Sequence, residues 1–188
     1  MTDQNAAAQR ILPLPKDQWT DASREVQSFW GEPNSWEEGS KTSFMPVMAN
    51  HPELGKVYNI WGKQLLMGNT LTTRHLELLI LRIAWNVQNE YEWHHHVGYG
   101  LNAGMTLDEI AAIREDLRAE DWPESDFAVL RAVDELLRQH TLSDELWDVL
   151  GRHFDTKQKM DLVFTIGHYV MTSWALSSFR VPVEPWGD

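Results

Sequence analysis

Apolar residues recur along this chain at spacings of three and four, and no stretch shows the two-residue alternation of a half-buried strand. From Pro52 to Gly68, Leu54, Val57, Tyr58, Trp61 and Leu65 fall on one face of a helix that Asn69 breaks. The next helix starts at Thr72 or Thr73, either of which can cap the free amides of a first turn. It carries Leu76, Leu79, Ile80, Ile83, Ala84 and Val87 on one face, and Leu78, Leu81 and Trp85 on a second. A helix apolar on two faces is expected to be central and buried nearly all round. Start signals then repeat. Asn89 with Glu92 resembles a capping box and opens a helix ending near Gly104; Thr106 with Glu109 opens one to about Arg118; Ser125 caps one to about Gln139. Ser143 caps another to His153, and Asp155 with Gln158 opens the last, from Lys157 to about Ser178.

The N-terminal side is less regular. Residues 1–15 read as a polar, proline-punctuated arm, mobile or docking, followed by a short helix from Asp17 to Trp30. Gly31 to Ser40 (GEPNSWEEGS) has the composition of a loop, either a lid or a connection. The predicted fold class is all-α. A weak echo of Leu76–Leu79 in Met160–Val163, each after a threonine cap, suggests two related helical halves. The expected organisation is an arm, short helix and loop over 1–45, a core over 46–120, and a helical extension of the same domain over 121–188.

Composition narrows the chemistry. The chain has 188 residues, the size of one domain, and a formal net charge of -12, which opposes binding to a phosphate backbone and excludes nucleic acid as a partner. It contains no run of eighteen apolar residues, and its opening MTDQNAAAQR has neither a basic start nor an apolar stretch. No membrane and a cytoplasmic location are therefore expected. Cysteine is absent, which rules out disulfides, thiolate nucleophiles and redox cycling through a CxxC pair. Any catalysis must run on histidine and carboxylate side chains. Ten tryptophans point to core, subunit interface or pocket wall.

The informative segment is Asn89-Glu90-Tyr91-Glu92-Trp93-His94-His95-His96. On a helix Glu92, His96 and Tyr99 share a stripe, so a carboxylate neighbours an imidazole and can orient one ring nitrogen while raising the basicity of the other. His95 lies at the edge of that stripe and His94 on the far side. Glu77, between Leu76 and Leu78, is expected to be partly buried, which disfavours its charge. Plain structural readings stand beside these: Glu92 completing the capping box, Asn89 serving only as a cap, Glu77 pairing with Arg74 or Arg82. Three consecutive histidines diverge by about 100° each and cannot bind one ion. Glu92, His96 and His75 lack the HExxH pattern, so no metal and no cofactor are expected. His140, His153 and His168 read as structural.

The run LTTRHLELLILRIAWNVQNEYEWHHHVGYGLNAGMTLDEIAAI, Leu71 to Ile113, resembles the carboxymuconolactone decarboxylase family, which also holds the alkyl hydroperoxidase D-like proteins. The closing GHYVMTSWALSSFRVPVE is similar to the tail of its longer members. In the peroxidase branch a glutamate precedes a CxxC pair and a histidine four residues beyond it. Glu77 and His96 match the glutamate and histidine, while Asn89 and Glu92 occupy the two cysteine positions. The resemblance therefore does not imply thiol peroxidase activity. It implies instead the decarboxylase branch, where an acidic residue precedes histidine by four positions and protonation accompanies loss of carbon dioxide from a small lactone carboxylate. On that footing Glu77, Glu92 and His96 are the candidate catalytic residues, with His96 the proton donor. Asn89, Tyr91, His95 and Tyr99 are the candidate substrate contacts. The alternative is a thiol-free relative with a binding or structural role. The family fold implies an antiparallel helical pair at the centre of a homo-oligomer, often a trimer or hexamer, with a small-molecule substrate bound near subunit interfaces.

Overall fold

A computed structural model describes residues 8–184; residues 1–7 of the expected arm lie outside the described residues. Every regular element among the described residues is helical: α1 (Asp21–Ser28), α2 (Ser35–Glu38), α3 (Phe44–Met48), α4 (Pro52–Met67), α5 (Thr73–Asn86), α6 (Glu90–Asn102), α7 (Leu107–Ala112), α8 (Glu124–Gln139), α9 (Asp144–His153) and α10 (Thr156–Phe179). Two short 3-10 turns, Lys16–Gln18 and Ala119–Asp121, complete the list. The described residues divide into two compact units, residues 8–64 with 174–184, and residues 65–173.

The unit of residues 65–173 holds the core. Every residue of α5 from Leu76 to Ala84 is buried, as its two apolar faces predict. Val87 and Gln88 turn the chain, Gln88 in the left-handed region at φ 55, and α6 returns antiparallel against α5. The caps are built from the predicted side chains. Thr72 accepts from the amide of His75, Ser143 from that of Leu146, and Thr106 forms a reciprocal box with Glu109. Asp155 and Gln158 exchange backbone and side-chain bonds of 2.9 Å at the head of α10. Gly104, at φ 86, ends α6 where glycine is favoured. Two boundaries differ from expectation. α8 begins at Glu124 behind Pro123, without a Ser125 cap, and α7 stops at Ala112 well before Arg118.

The buried charges of this unit are paired. Arg82 donates from Nε and Nη2 to the two carboxylate oxygens of Asp134 at 2.9 and 2.7 Å, and from Nη1 to the carbonyls of Ile113 and Glu115. Arg74 bonds Asp126 and Glu109, and His75 lies 3.1 Å from Asp126. Trp85 and Trp93 meet edge to face at 6.1 Å, with the Arg114 guanidinium over both rings.

In the other unit the predicted helix Asp17–Trp30 is broken by Thr20, whose side chain caps a shorter α1. The loop at 31–40 contains the single turn α2, and α3 appears where no helix was expected. Its FMPVM sequence is too short to show a period and contains a proline, but Pro46 sits in the first turn, where its missing N–H has no intrahelical partner anyway. The described part of the arm is docked: the Arg10 amide donates to the Phe179 carbonyl and the Leu14 amide to that of Pro46.

Of the residues that share one apolar face of α4, Leu65 is buried, while Leu54, Val57 and Trp61 are 53, 66 and 39 % exposed, together with Ile60. The covered side carries Gly55 and Asn59 instead. A Cβ at residue 55 would stand 2.8 Å from Val26 Cγ1 and 3.2 Å from the Met48 carbonyl, so only glycine lets α4 approach this closely. Asn59 accepts from the Trp30 indole and donates to the Val26 carbonyl.

Replacing Asp134 by Ala leaves the buried Arg82 guanidinium without its carboxylate. The expected loss is about 3 kcal/mol of unfolding free energy, measured by urea denaturation, and a Gly55→Ala variant is expected to lose about 2 kcal/mol through overpacking.

Candidate functional site

The hairpin of α5 and α6 brings three of the predicted residues together. Glu77 on α5 and Glu92 and His96 on α6 are 2, 7 and 5 % exposed. His96 Nδ1 lies 2.7 Å from Glu77 Oε2, and its Nε2 lies 3.4 Å from Glu92 Oε2. One imidazole is thus engaged by a carboxylate at each ring nitrogen. Asn89 does cap α6, with Oδ1 accepting from the Glu92 amide at 2.9 Å. The capping box is not closed, however. The Asn89 amide is satisfied by the Ala84 carbonyl, and the Glu92 carboxylate is turned to His96.

Burial alone would push the His96 imidazolium down, but the hydrogen bonds and charges of Glu77 and Glu92 outweigh it and raise His96 from 6.5 to about 9. At neutral pH the His96 ring between Glu77 and Glu92 is therefore an imidazolium. Such a cluster can accept a proton at a carboxylate while the imidazolium compensates the charge.

The remaining predicted residues fall in different places. Asn89 is buried, and its Nδ2 donates to the Ser173 carbonyl at 3.1 Å. The Tyr99 ring lies 5.4 Å from His96 and is 52 % exposed, a group at the solvent side of the cluster. Tyr91 and His95 pair with each other, rings 4.4 Å apart, and His95 Nδ1 bonds the Tyr91 carbonyl. His75, considered with Glu92 and His96 as a ligand set, is paired to Asp126 instead. Among the described residues no group of three or more His, Asp or Glu side chains is arranged to hold a metal ion. Arg74 and Arg82, the arginines weighed as partners of Glu77, are both committed to other carboxylates.

The sequence reading found α10 but did not place it at the cluster. Tyr169 places its ring 5.3 Å from that of His96 and 5.3 Å from that of His168. His168 is buried, which pushes its imidazolium down, while the charge of Glu92 pulls the other way; the net is lowered, so the ring stays neutral. The available signal was the buried polar stripe Thr165, His168, Thr172 and Ser173 in an otherwise apolar helix, which becomes visible only once that face is known to be covered.

The comparisons with known proteins agree with this architecture. Residues 52–135 match the Carboxymuconolactone decarboxylase family. An uncharacterized peroxidase-related protein with an alkylhydroperoxidase AhpD core, from Ralstonia eutropha JMP134, superposes with a TM-score of 0.78 at 12 % identity, covering 95 % of this chain and 93 % of that one. A peroxidase-related protein from Silicibacter sp. TM1040 gives 0.76 at 14 %, with the same coverage. The debrominase Bmp8, as a cysteine-to-alanine variant in complex with 2,3,4-tribromopyrrole, gives 0.73 at 14 %, covering 96 % and 94 %. At these identities the likeness is one of fold. No curated protein matches the sequence. The match to the carboxymuconolactone decarboxylase family thus spans residues 52–135, a little under half of a chain that carries no cysteine.

Proposed function

We propose that the chain is a cofactor-independent acid/base enzyme, a lyase, isomerase or hydrolase, that moves a proton on a small lactone or related carbonyl compound. The observation that carries this reading is the His96 imidazole engaged by Glu77 at one nitrogen and facing Glu92 at the other. Glu77 anchors the ring. Glu92, at the other nitrogen, is the group that exchanges a proton with the substrate, and the imidazolium stabilises its carboxylate form between exchanges. The sequence alone favoured His96 as the direct donor; its two occupied nitrogens favour Glu92 in that position. With Arg74 and Arg82 both paired, the charge balance favours an uncharged lactone over a carboxylate. Self-association as a homo-oligomer belongs to the same reading, supported by the exposed apolar strip of Leu54, Val57, Ile60 and Trp61 on α4. No helix among the described residues is long and apolar enough to cross a membrane.

Screening small lactones, beginning with the β,γ-unsaturated α-angelica lactone, tests the reading. The wild-type chain is expected to convert it to the α,β-unsaturated isomer. Glu92→Gln and His96→Gln are each expected to lower kcat by at least about 100-fold with helical content retained. Absence of turnover in the wild type, with the variants altering thermal stability alone, would assign the cluster a structural role.

The pH dependence has a definite sign. His96 faces Glu77 from α5, Glu92 from α6, and His168 and Tyr169 from α10. Its proton is held more tightly folded than unfolded, so the stability it adds is complete below pH 6.5 and lost as pH rises through about 9. Urea unfolding across pH 7 to 10 is expected to show this decline in the wild type and not in His96→Gln.

A further inference from the structure

The face of α10 turned to the cluster is polar where a core helix would be apolar. Thr165, His168, Thr172 and Ser173 are 0, 7, 3 and 1 % exposed and share one side of the helix. The Thr165 hydroxyl is satisfied, accepting from Asn69 Nδ2 at 2.9 Å. The Ser173 hydroxyl differs: Oγ is buried and has no hydrogen-bond partner. A native fold keeps few such groups, because each forfeits its bond to water and gains nothing in return.

The position of Ser173 is fixed by the Asn89 carboxamide. One end of it accepts from the Glu92 amide and the other donates to the Ser173 carbonyl, at 2.9 and 3.1 Å. Ser173 is therefore clamped to the turn of α6 that bears Glu92. One helical turn earlier on the same face, Tyr169 meets the His96 ring, and the adjacent His168 lies within the field of Glu92. A base on α6 is thus tied through Asn89 to the turn of α10 that bears an unspent hydroxyl, and a buried imidazole of the same helix lies within its field.

We propose that Ser173 Oγ is the hydrogen-bond donor for the substrate's carbonyl oxygen, so that α10 supplies the electrophilic half of the site and Glu92 the basic half. The inference rests on the acid/base reading above. In the step, Glu92 takes the proton from the carbon α to the carbonyl. The C–H electron pair becomes the enolate double bond, and the carbonyl π pair moves onto oxygen. Ser173 donates its O–H to that oxygen without transferring the proton; the oxygen pair then re-forms the carbonyl, the enolate double bond moves to the α,β position, and the former β,γ π pair takes the proton back from Glu92 at the γ carbon. Nothing is oxidised or reduced. A donor idle in the free protein and used as charge develops favours the transition state over the ground state.

The test uses the full chain, α-angelica lactone as substrate and tetronate as a stable anionic mimic of the enolate. Ser173→Ala is expected to lower kcat by 10- to 100-fold with KM and the pH profile unchanged, and to weaken tetronate binding, read by calorimetry, by a similar factor. Its melting temperature is expected to equal or exceed that of the wild type, because the variant removes an unsatisfied buried hydroxyl. Glu92→Gln is expected to abolish turnover while binding tetronate at least as tightly. Ser173→Ala with wild-type turnover and tetronate affinity would overturn the assignment and leave the acid/base reading standing. A Ser173→Ala variant that melts lower, with kcat per folded molecule unchanged, would overturn it too, as a packing role. If the wild type neither turns over the lactone nor binds tetronate, the acid/base reading fails and this proposal with it.

Discussion

An imidazolium and two carboxylates buried on apolar helices are tolerable only in one another's company. Each ion taken out of water costs several kcal/mol even after relaxation. His96 recovers that cost because Glu77 and Glu92 reach it from two different helices. The register of α5 against α6 is consequently set by a polar contact inside an apolar interface. A slide of one residue would separate Glu77 from His96 and strand both. Leu78, Leu79 and Leu81 supply burial but no such demand, since apolar contacts are non-directional and tolerate a shifted partner. The Asn89 carboxamide then extends the constraint to α10.

The polar interior of this unit is sorted by charge. Arg74 with Asp126 and Glu109, and Arg82 with Asp134, are self-contained, and each arginine is spent on partners of its own. The His96 cluster is left with two negative groups against one positive. That imbalance suits a carboxylate that takes a proton in the proposed step. The separation explains how a helix as buried as α5 carries both Glu77 and Arg82 without pairing them: five positions apart, they leave the helix in different directions.

Most of the fold was legible because its helices announce their own beginnings. Thr72, Thr106, Ser143 and the Asp155–Gln158 pair are local devices, and each cap forms where the sequence places it. The failures have equally specific causes. Periodicity identified which face of α4 is apolar, but not which is covered, and the glycine and asparagine side packs because small size permits contact. The Glu92–His96 pair was visible as an i, i+4 spacing. Glu77 and His96, nineteen residues apart, are linked by no local rule, and only family resemblance joined them before the structure did. His168 and Ser173 were invisible for the same reason without that help: their neighbours lie on α6.

The resemblance read in the sequence sets Asn89 and Glu92 at the two positions of a CxxC pair, and in this structure both are committed to other work. Asn89 caps α6 and clamps α10; Glu92 completes the environment of His96. A mutation to cysteine at 89 would remove a cap and a clamp at once. One at 92 would leave a buried imidazolium with a single carboxylate. Each step toward a dithiol would weaken the fold before the second sulfur arrived to offer any chemistry. A dithiol at these two positions is thus barred less by what the site would need to gain than by what the folded chain would first have to surrender.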